Sequence, residues 1–315
     1  ADALRRVVGV SIMDNKYVLV RGVSDRYNQT TLNGATMNST DTESDKRSFS
    51  FDMIPSNLLD NTVVVKTSTP DRPGDVTGGL VELKTLDFPD QTVIRVAVGT
   101  SFNALATGKS ILMSQGGSTD WLGMDDGHRS EPSAGASGSN EWASLPNSWA
   151  VKARTAPINQ NISLAYGDRL VGEGFDVGYI AALSYRGSYS RTESYQDFVV
   201  GSGPFQQSGT NDAFSVLWGG LLDLHIKLAP DHKLSLSNAY NRTADDKVQV
   251  RSGIDFQGRE VRSTSVQWKE RALYNGQLTG EHMLGLLDNS MLAWRTFYTE
   301  SNAKEPDRRR LKYQR

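Results

Sequence analysis

The chain contains no cysteine. That removes a disulfide framework, a thiolate metal site and a cysteine nucleophile. Histidine is nearly as scarce, with four residues at 128, 225, 232 and 282, none at metal-ligand spacing. An excess of charge of either sign is also missing. Lys and Arg number 34 against 36 Asp and Glu in 315 residues, for a net charge of −2. A general nucleic-acid binder would be basic, so no nucleic-acid partner is expected. No uncharged apolar run approaches the ~18–20 residues of a membrane-crossing helix, and mean hydropathy is −0.45. A helical membrane protein is excluded. A membrane β-barrel is not, because each of its strands needs only ~9–11 residues of alternating polarity.

Catalytic patterns are missing too. There is no nucleophile elbow and no HExxH. Gly108-Lys109-Ser110 ends like a phosphate-binding loop, but Asn103 stands where its first glycine belongs. Gly172 and Gly174 open a dinucleotide pattern that Val177 breaks, and read as a turn. Asp120, Asp125, Asp126 and His128 read as a solvated loop cluster rather than a cation site. The expectation is therefore no enzyme, no cofactor and no metal. The first residues lack a signal-peptide core, which leaves a cytoplasmic chain or a piece cut from something longer.

What is present favours β structure. Glycine (29 residues) far exceeds proline (10), and 27 residues are aromatic, a mixture suited to strands and turns. The length suggests roughly two domains, and the pattern changes near residue 90. Before it, short β-rich runs alternate with turns: Val7–Ile12, Tyr17–Arg21, Thr30–Leu32, Thr62–Thr67 and Leu80–Thr85. Asn33-Gly34 predicts a type I′ turn. Pro55–Leu59 predicts about one helical turn, and Thr62–Thr67 a strand buried on both faces. This is a small α+β unit that Phe88-Pro89-Asp90 closes.

Beyond 90 the alternation becomes long. In 174–189, Phe175, Val177, Tyr179, Leu183, Tyr185 and Tyr189 share one parity, and Asp176, Ser184, Arg186 and Ser188 the other. In 214–228, Phe214, Val216, Trp218, Leu222, Leu224 and Ile226 alternate with Ser215, Gly219, Asp223 and His225. Seven strands are expected, near 91–103, 158–167, 174–191, 213–228, 233–247, 263–281 and 290–300. Their ~12–16 residues exceed the ~5–6 usual in soluble sheets. Connections near 168–173, 229–232 and 285–289 read as short turns. Those at 104–157, 193–212, 249–262 and beyond 301 read as long loops. That asymmetry fits an outer-membrane barrel with its long loops outside the cell.

Several N-terminal stretches carry a family resemblance: Ala1-Asp2-Ala3-Leu4 with Gly9-Val10, Arg21-Gly22, Arg26-Tyr27-Asn28-Gln29-Thr30-Thr31-Leu32-Asn33-Gly34, Val63–Thr67, Pro73-Gly74-Asp75 and Gly78-Gly79-Leu80-Val81-Glu82-Leu83-Lys84-Thr85. Together they resemble the plug domain of TonB-dependent outer-membrane receptors. The resemblance implies a plug over 1–90, its opening part missing, and the first strands of an antiparallel transmembrane β-barrel over 91–315, its remainder missing. It further implies TonB-dependent uptake of a scarce small-molecule ligand, such as a siderophore-iron complex or an oligosaccharide. The chain would then sit in outer-membrane lipid of a Gram-negative bacterium. TonB, with ExbB and ExbD, would act through a TonB box absent from this chain. The competing class is a soluble all-β carbohydrate-binding module.

Two groups of residues follow as candidates. Trp121, Trp142 and Trp149 lie in the long 104–157 segment, where they could stack on ligand or form the core of the loop. Arg21, Gly22, Asn33, Gly34, Gly78, Gly79 and Glu82 are candidate structural or gating positions of the plug. Arg21 either bonds the barrel wall or forms a buried ion pair within the plug, and Glu82 and Lys84 share that ambiguity.

Overall fold

A computed structural model describes residues 7–13, 16–39, 49–67, 78–86, 90–129, 150–200, 203–229, 231–285 and 290–314. Trp142, Trp149, Phe88 and Pro89 lie outside the described residues.

The N-terminal unit begins with an antiparallel pair, β1 (Val10–Met13) and β2 (Tyr17–Val20). A four-stranded sheet follows, built from β3 (Asn28–Leu32), β4 (Ala35–Thr36), β5 (Leu59–Val65) and β6 (Gly79–Thr85), in the order β4-β3-β6-β5. Strands β3 and β6 run parallel, which requires the long crossover the chain makes between them. That crossover carries two single turns of 3-10 helix, Phe51–Met53 and Ser56–Leu58. Central β6 buries Leu80, Val81 and Leu83. Strand β5 is only half-buried and not enclosed on both faces as its Val run suggested, because it lies at the sheet edge.

Two tight turns shape the unit. Asn33 and Gly34 have φ of 51° and 85°, the type I′ geometry their sequence predicts. Arg21 and Gly22 repeat it at 55° and 74°, closed by Val23 N–H donating to the Val20 carbonyl at 3.0 Å. Arg21 is accordingly exposed at a turn, which corrects the expected buried ion pair. Gly78 and Gly79 serve close approach instead. A Cβ on Gly79 would lie 2.7 Å from Val20 Cγ1, and one on Gly78 2.3 Å from Asn28 Oδ1.

The rest of the chain is dominated by one antiparallel sheet. Its first strand is β7 (Val93–Ser101). The small pair β8 (Ser110–Met113) and β9 (Lys152–Thr155) comes next in the chain. Then follow β10 (Asn159–Gly172), β11 (Phe175–Val200), β12 (Gly203–Ala229), β13 (His232–Ile254), β14 (Glu260–Leu284) and β15 (Ser290–Gln314). Apart from the β8–β9 pair, each strand lies beside its chain neighbour, in the order β7-β10-β11-β12-β13-β14-β15. The expected seven strands are all there, but five of them reach 23–27 residues. Segments 193–212 and 249–262 are therefore not long loops. Pairing continues to Val200–Gly203 on one hairpin and to Ile254–Glu260 on the other. The stretch after Ser301 is also strand, to Gln314. Polar residues misled the sequence reading because a strand wet on both faces has no apolar alternation to reveal it.

Strict alternation divides the sheet into two faces. One carries Ile180, Ala182, Leu221, Ala239 and Leu273, which form a common core with Val18, Leu32, Met53, Val81 and Leu83 of the N-terminal unit. The opposite face leaves Ile94, Val96, Val98, Leu164, Leu222, Leu236 and Leu278 exposed. An aromatic row crosses this second face. Tyr185 pairs Trp218. Tyr240 pairs Gly220, two residues below Trp218. Tyr274 pairs Tyr240, and Tyr298 pairs Gly276, two residues below Tyr274. The row thus steps down four residues over four strand junctions, about one residue per strand. At ~3.3 Å per residue and ~4.8 Å between strands that slope is ~35°, within the ~35–45° tilt of strands in an outer-membrane barrel. On β12, Trp218 and Ile226 span ~26 Å along the strand, or ~20 Å after tilt, against an apolar band of ~25 Å in such barrels.

Above this row the same face is covered. Ile111 and Met113 of β8, with Ala106 and Ala156, pack on Tyr189, Phe214, Val216, Ala244 and Trp268. The apolar face read as one lipid-facing surface is therefore divided: it is bare below the row and covered by the chain's own segment above it.

Replacing Gly34 by alanine places a Cβ at φ +85°, at a cost of about 1–2 kcal/mol. The Arg295 guanidinium that this Cβ would meet ends a flexible side chain and can move aside. We expect Gly34→Ala to lower the thermal midpoint and Arg295→Ala not to restore it. Full rescue by Arg295→Ala in a calorimetric scan would assign the cost to the contact rather than the backbone.

Candidate functional site

The N-terminal unit meets the wall through two polar clusters. In the upper one, the 3-10 turn Phe51–Met53 presents Asp52 to Arg271 of β14. Arg271 donates from Nη2 to Asp52 Oδ2 at 2.8 Å, and from Nη1 to Ser50 Oγ at 2.9 Å and Asp52 Oδ1 at 3.2 Å. Lys16 Nζ lies 3.3 Å from Asp52 and 3.8 Å from Asp245 of β13, and Asp245 accepts from Ser215 Oγ at 2.5 Å. The Arg271 side chain is 2% exposed, and leaving such a charge unpaired costs several kcal/mol. Burial works to raise the Asp52 carboxyl. The Arg271 charge and hydrogen bonds, Lys16 and Ser50 outweigh it and hold Asp52 at about 2.

The lower cluster grows from the Asn33-Gly34 turn. Asn33 Nδ2 donates to Thr85 Oγ1 at 2.8 Å and to Ser237 Oγ of β13 at 3.5 Å, and its Oδ1 accepts from Thr85 N–H at 3.0 Å. Thr85 Oγ1 donates to Asp223 of β12 at 3.2 Å, and Ser237 Oγ donates to the same carboxylate. Gln277 Nε2 of β14 donates to the Leu32 carbonyl at 2.7 Å. Beside this cluster lies a cavity of about 630 Å³ between the unit and the wall. Asn33, Gly34, Glu82 and Lys84 line it from one side, and Asp223, His225, Lys233 and Arg295 from the other.

Of the candidates, Asn33, Gly34 and Glu82 thus meet at one cavity. Arg21, Gly22, Gly78 and Gly79 instead shape the turns and close approaches within the unit. The wall-contacting ion pair, Arg271 with Asp52, went unnoticed in the sequence. The partners are 219 residues apart, and a charge on the polar parity of a strand is ordinary, so no local signal marked the pair.

Trp121 is 56% exposed, and so does not form a loop core. Its carbonyl accepts from Tyr185 O–H at 3.1 Å, and its ring lies 6.2 Å from that of Tyr185. It therefore stands beside the aromatic row, on the face opposite the N-terminal unit. The loop's actual anchor is Arg129. Its two Nη atoms bond Asp120, each at 2.8 Å, and Nη2 also reaches Ser114 Oγ at 3.0 Å. The guanidinium stacks 4.0 Å over the Trp268 ring. The cluster of Asp120, Asp125 and Asp126 organises this docked segment rather than simply meeting solvent. Among the described residues no group of three or more His, Asp or Glu is arranged to hold a metal.

Residues 1–80 match the family model for the TonB-dependent receptor plug domain. No curated protein matches the chain. Among solved structures, the chain is similar to the outer membrane transporter YddB from Escherichia coli, at 11% identity and a TM-score of 0.31, over 96% of this chain and 50% of that one. It is also similar to a double mutant of the Serratia marcescens hemophore receptor HasR in complex with its hemophore HasA and heme, at 11% identity and a TM-score of 0.29, over 99% and 57%. The chain spans about half the length of these structures. Residues 1–80 are a TonB-dependent receptor plug domain, and long antiparallel strands of the barrel type follow it.

Two outcomes test the upper cluster. Arg271→Ala should cost about 3–5 kcal/mol, because it strands buried carboxylates. A folded-state value of about 2 for Asp52 lies below its ordinary 3.8. Its contribution is therefore complete above pH ~4 and is lost as pH falls toward 2. Asp52→Asn should flatten the stability profile between those values. An unchanged acid limb in Asp52→Asn would show that another group carries it.

Proposed function

We propose that this chain is the plug and first seven wall strands of an outer-membrane receptor for TonB-dependent uptake of a scarce small-molecule ligand. In this reading the protein is a transporter rather than an enzyme, resides in the outer membrane of a Gram-negative bacterium, and is driven by TonB with ExbB and ExbD. Residues 1–90 form the plug domain and 91–315 the wall. The observation that carries the reading is the aromatic row. It descends the sheet at the slope of a tilted barrel, with bare apolar residues below it and the plug on the other face. A soluble carbohydrate-binding module would bury Val96, Leu164, Leu222 and Leu278 against a second sheet, and nothing described covers them.

The plug–wall clusters then acquire a function. Transport needs the plug to move or reorganise against the wall. The interface is built from hydrogen bonds and ion pairs, which water can replace as they part, around a cavity already lined with polar groups. Asn33, Gly34 and Glu82 are the gating candidates this arrangement favours. Trp121 is better placed as an anchor at the membrane surface than as a ligand contact. The short turn at Asp231 faces the periplasm, and the Asp255–Arg259 turn joining β13 to β14 faces outside.

The absence of cysteine gives a direct test. Gln257→Cys and Asp231→Cys are treated on intact cells with a membrane-impermeant maleimide. We expect Gln257→Cys to be labelled and Asp231→Cys to be spared until the outer membrane is opened. Reversed labelling would invert the barrel. Equal labelling, with the protein in the soluble fraction, would remove it from the membrane.

A further inference from the structure

The plug-side face of the wall changes character above the upper cluster. Alternation and register carry it past the Asp245 and Lys269 pair into three further rungs on β13, β14 and β15. Lys247, Gln267 and Arg308 form the first rung. Gln249, Ser265 and Arg310 form the second, and Arg251, Ser263 and Lys312 the third. The five cations of this block all lie on β13 or β15. Between them, β14 supplies only an amide and two hydroxyls. On β11 and β12 the same parity continues uncharged, with Thr192, Ser194 and Gln196 opposite Asn211, Gly209 and Gln207. Asp212, Asp246 and Asp307 take the other parity, with Phe214 and Trp268. A chain of net charge −2 thus gathers a cationic block on one face of three strands.

The block stands directly over the contact between plug and wall. Lys247 is the next residue of this parity after Asp245, and lies seven residues above Tyr240 of the aromatic row, or ~23 Å along the strand. Neighbouring like charges in a sheet are destabilising, and few acids offset them here. Glu305 lies 3.6 Å from Arg308 and accepts from Gln267 Nε2 at 2.8 Å. Asp255 lies 3.6 Å from Lys312, but Arg259 already holds it at 2.9 Å. Arg251 donates to the neutral Gln196 at 3.1 Å, and Arg310 to the neutral Ser263 at 3.2 Å. Lys247 is exposed and has no acid partner among the described residues.

These contacts hold the cationic groups apart. Arg251 is drawn toward β11, Arg310 toward β14 and Lys312 toward the turn between β13 and β14. The two cationic columns are two strand spacings apart, ~10 Å, and successive cations within a column are ~7 Å apart. Gripping one phosphate needs donors that converge to ~2.7–2.9 Å from its oxygens. A lattice of separated cations instead matches acid groups spread along a molecule, and the hydroxyl and amide track between the columns matches hydroxyls.

We propose that the ligand is an acidic oligosaccharide that lies along β14. Its hydroxyls bond Gln267, Ser265 and Ser263, and its carboxylates or sulfates meet the cations of β13 and β15. The proposal rests on the uptake reading, in which this face is the lumen above the plug, and adds the chemical class of the ligand. A basic mouth also concentrates a polyanion before it binds.

The test uses the protein purified in lauryldimethylamine oxide, a detergent without sugar. The probes are a sulfated dextran hexasaccharide, the same hexasaccharide without sulfate, and inositol hexakisphosphate as a compact polyanion. Affinities are measured by calorimetric titration at about 50 mM salt, where screening is weak. We expect the sulfated sugar to bind at least tenfold more tightly than either other probe. Lys247→Gln/Arg310→Gln should weaken it about tenfold and leave the thermal midpoint unchanged or raised, since like charges are removed. Lys304→Gln, on the opposite face, should leave its affinity unchanged. Wild-type affinity in the double variant, or an equal loss in Lys304→Gln, overturns the site. Equal affinity for the unsulfated sugar overturns the requirement for acid groups, and equal affinity for inositol hexakisphosphate overturns the elongated ligand. A protein recovered without detergent fails the outer-membrane reading instead, and is recognised before any probe is added.

Discussion

A β-strand has two faces and no third, and β11 to β14 hold that alternation almost throughout runs of 23–27 residues. Everything else is arranged around that constraint. One parity must satisfy the plug over the lower half of β11 to β14. The other is bare and apolar below the aromatic row and covered by the 104–129 segment above it. A one-residue slip would exchange these surfaces, placing Asp223 and Arg271 on the bare apolar face and Leu222 and Leu278 against the plug. Register is therefore fixed by burial on both sides at once. The shifts in the wall ladder fall at Lys227–Ala229 beside a turn and at the Pro306 bulge.

Charge burial follows the same partition. Arg271 and Arg129 are both almost fully enclosed, one on each face of β14 and its docked segment. Arg271 gains its carboxylate from an element distant in sequence, Asp52 of the N-terminal unit, whereas Arg129 gains Asp120 from nine residues away in its own segment. Buried ion pairs give little net stability compared with apolar packing. They do discriminate sharply between docked and undocked arrangements, because separation without hydration is costly. Under the proposed function, that property suits a plug that sits in one position at rest and leaves it through water.

The outer face shows how a local irregularity becomes a surface feature. Glu305 and Pro306 of β15 stand opposite Lys269 alone, and this irregularity falls above the tyrosines that end the apolar band. The docked segment supplies the neighbouring edge through the Gly123 carbonyl, which fixes Arg242. Trp121 then stands exposed beside Tyr185, where an indole can place its ring toward lipid and its N–H toward water.

Much of this was legible in the residues themselves. Alternation of the kind seen in Phe175–Tyr189 and Phe214–Leu228 gave seven strands and the parity of their apolar face. Asn33-Gly34 gave the type I′ turn, and the motifs of the first 90 residues identified the plug, because these signals are local and a few neighbouring residues fully specify them. The polar ends of β11 to β15 read as loops, since a strand wet on both faces leaves no periodic trace. Arg21 was read as an ion-pair partner, although its place was set by backbone conformation at φ +55°. The covering of part of the apolar face by the 104–129 segment and the meeting of Asp52 with Arg271 depend on which distant strands become neighbours. Sequence alone determined the elements and their two faces. What each face touches was decided only when seven strands and a plug packed together, because burial and pairing are properties of neighbours and not of residues.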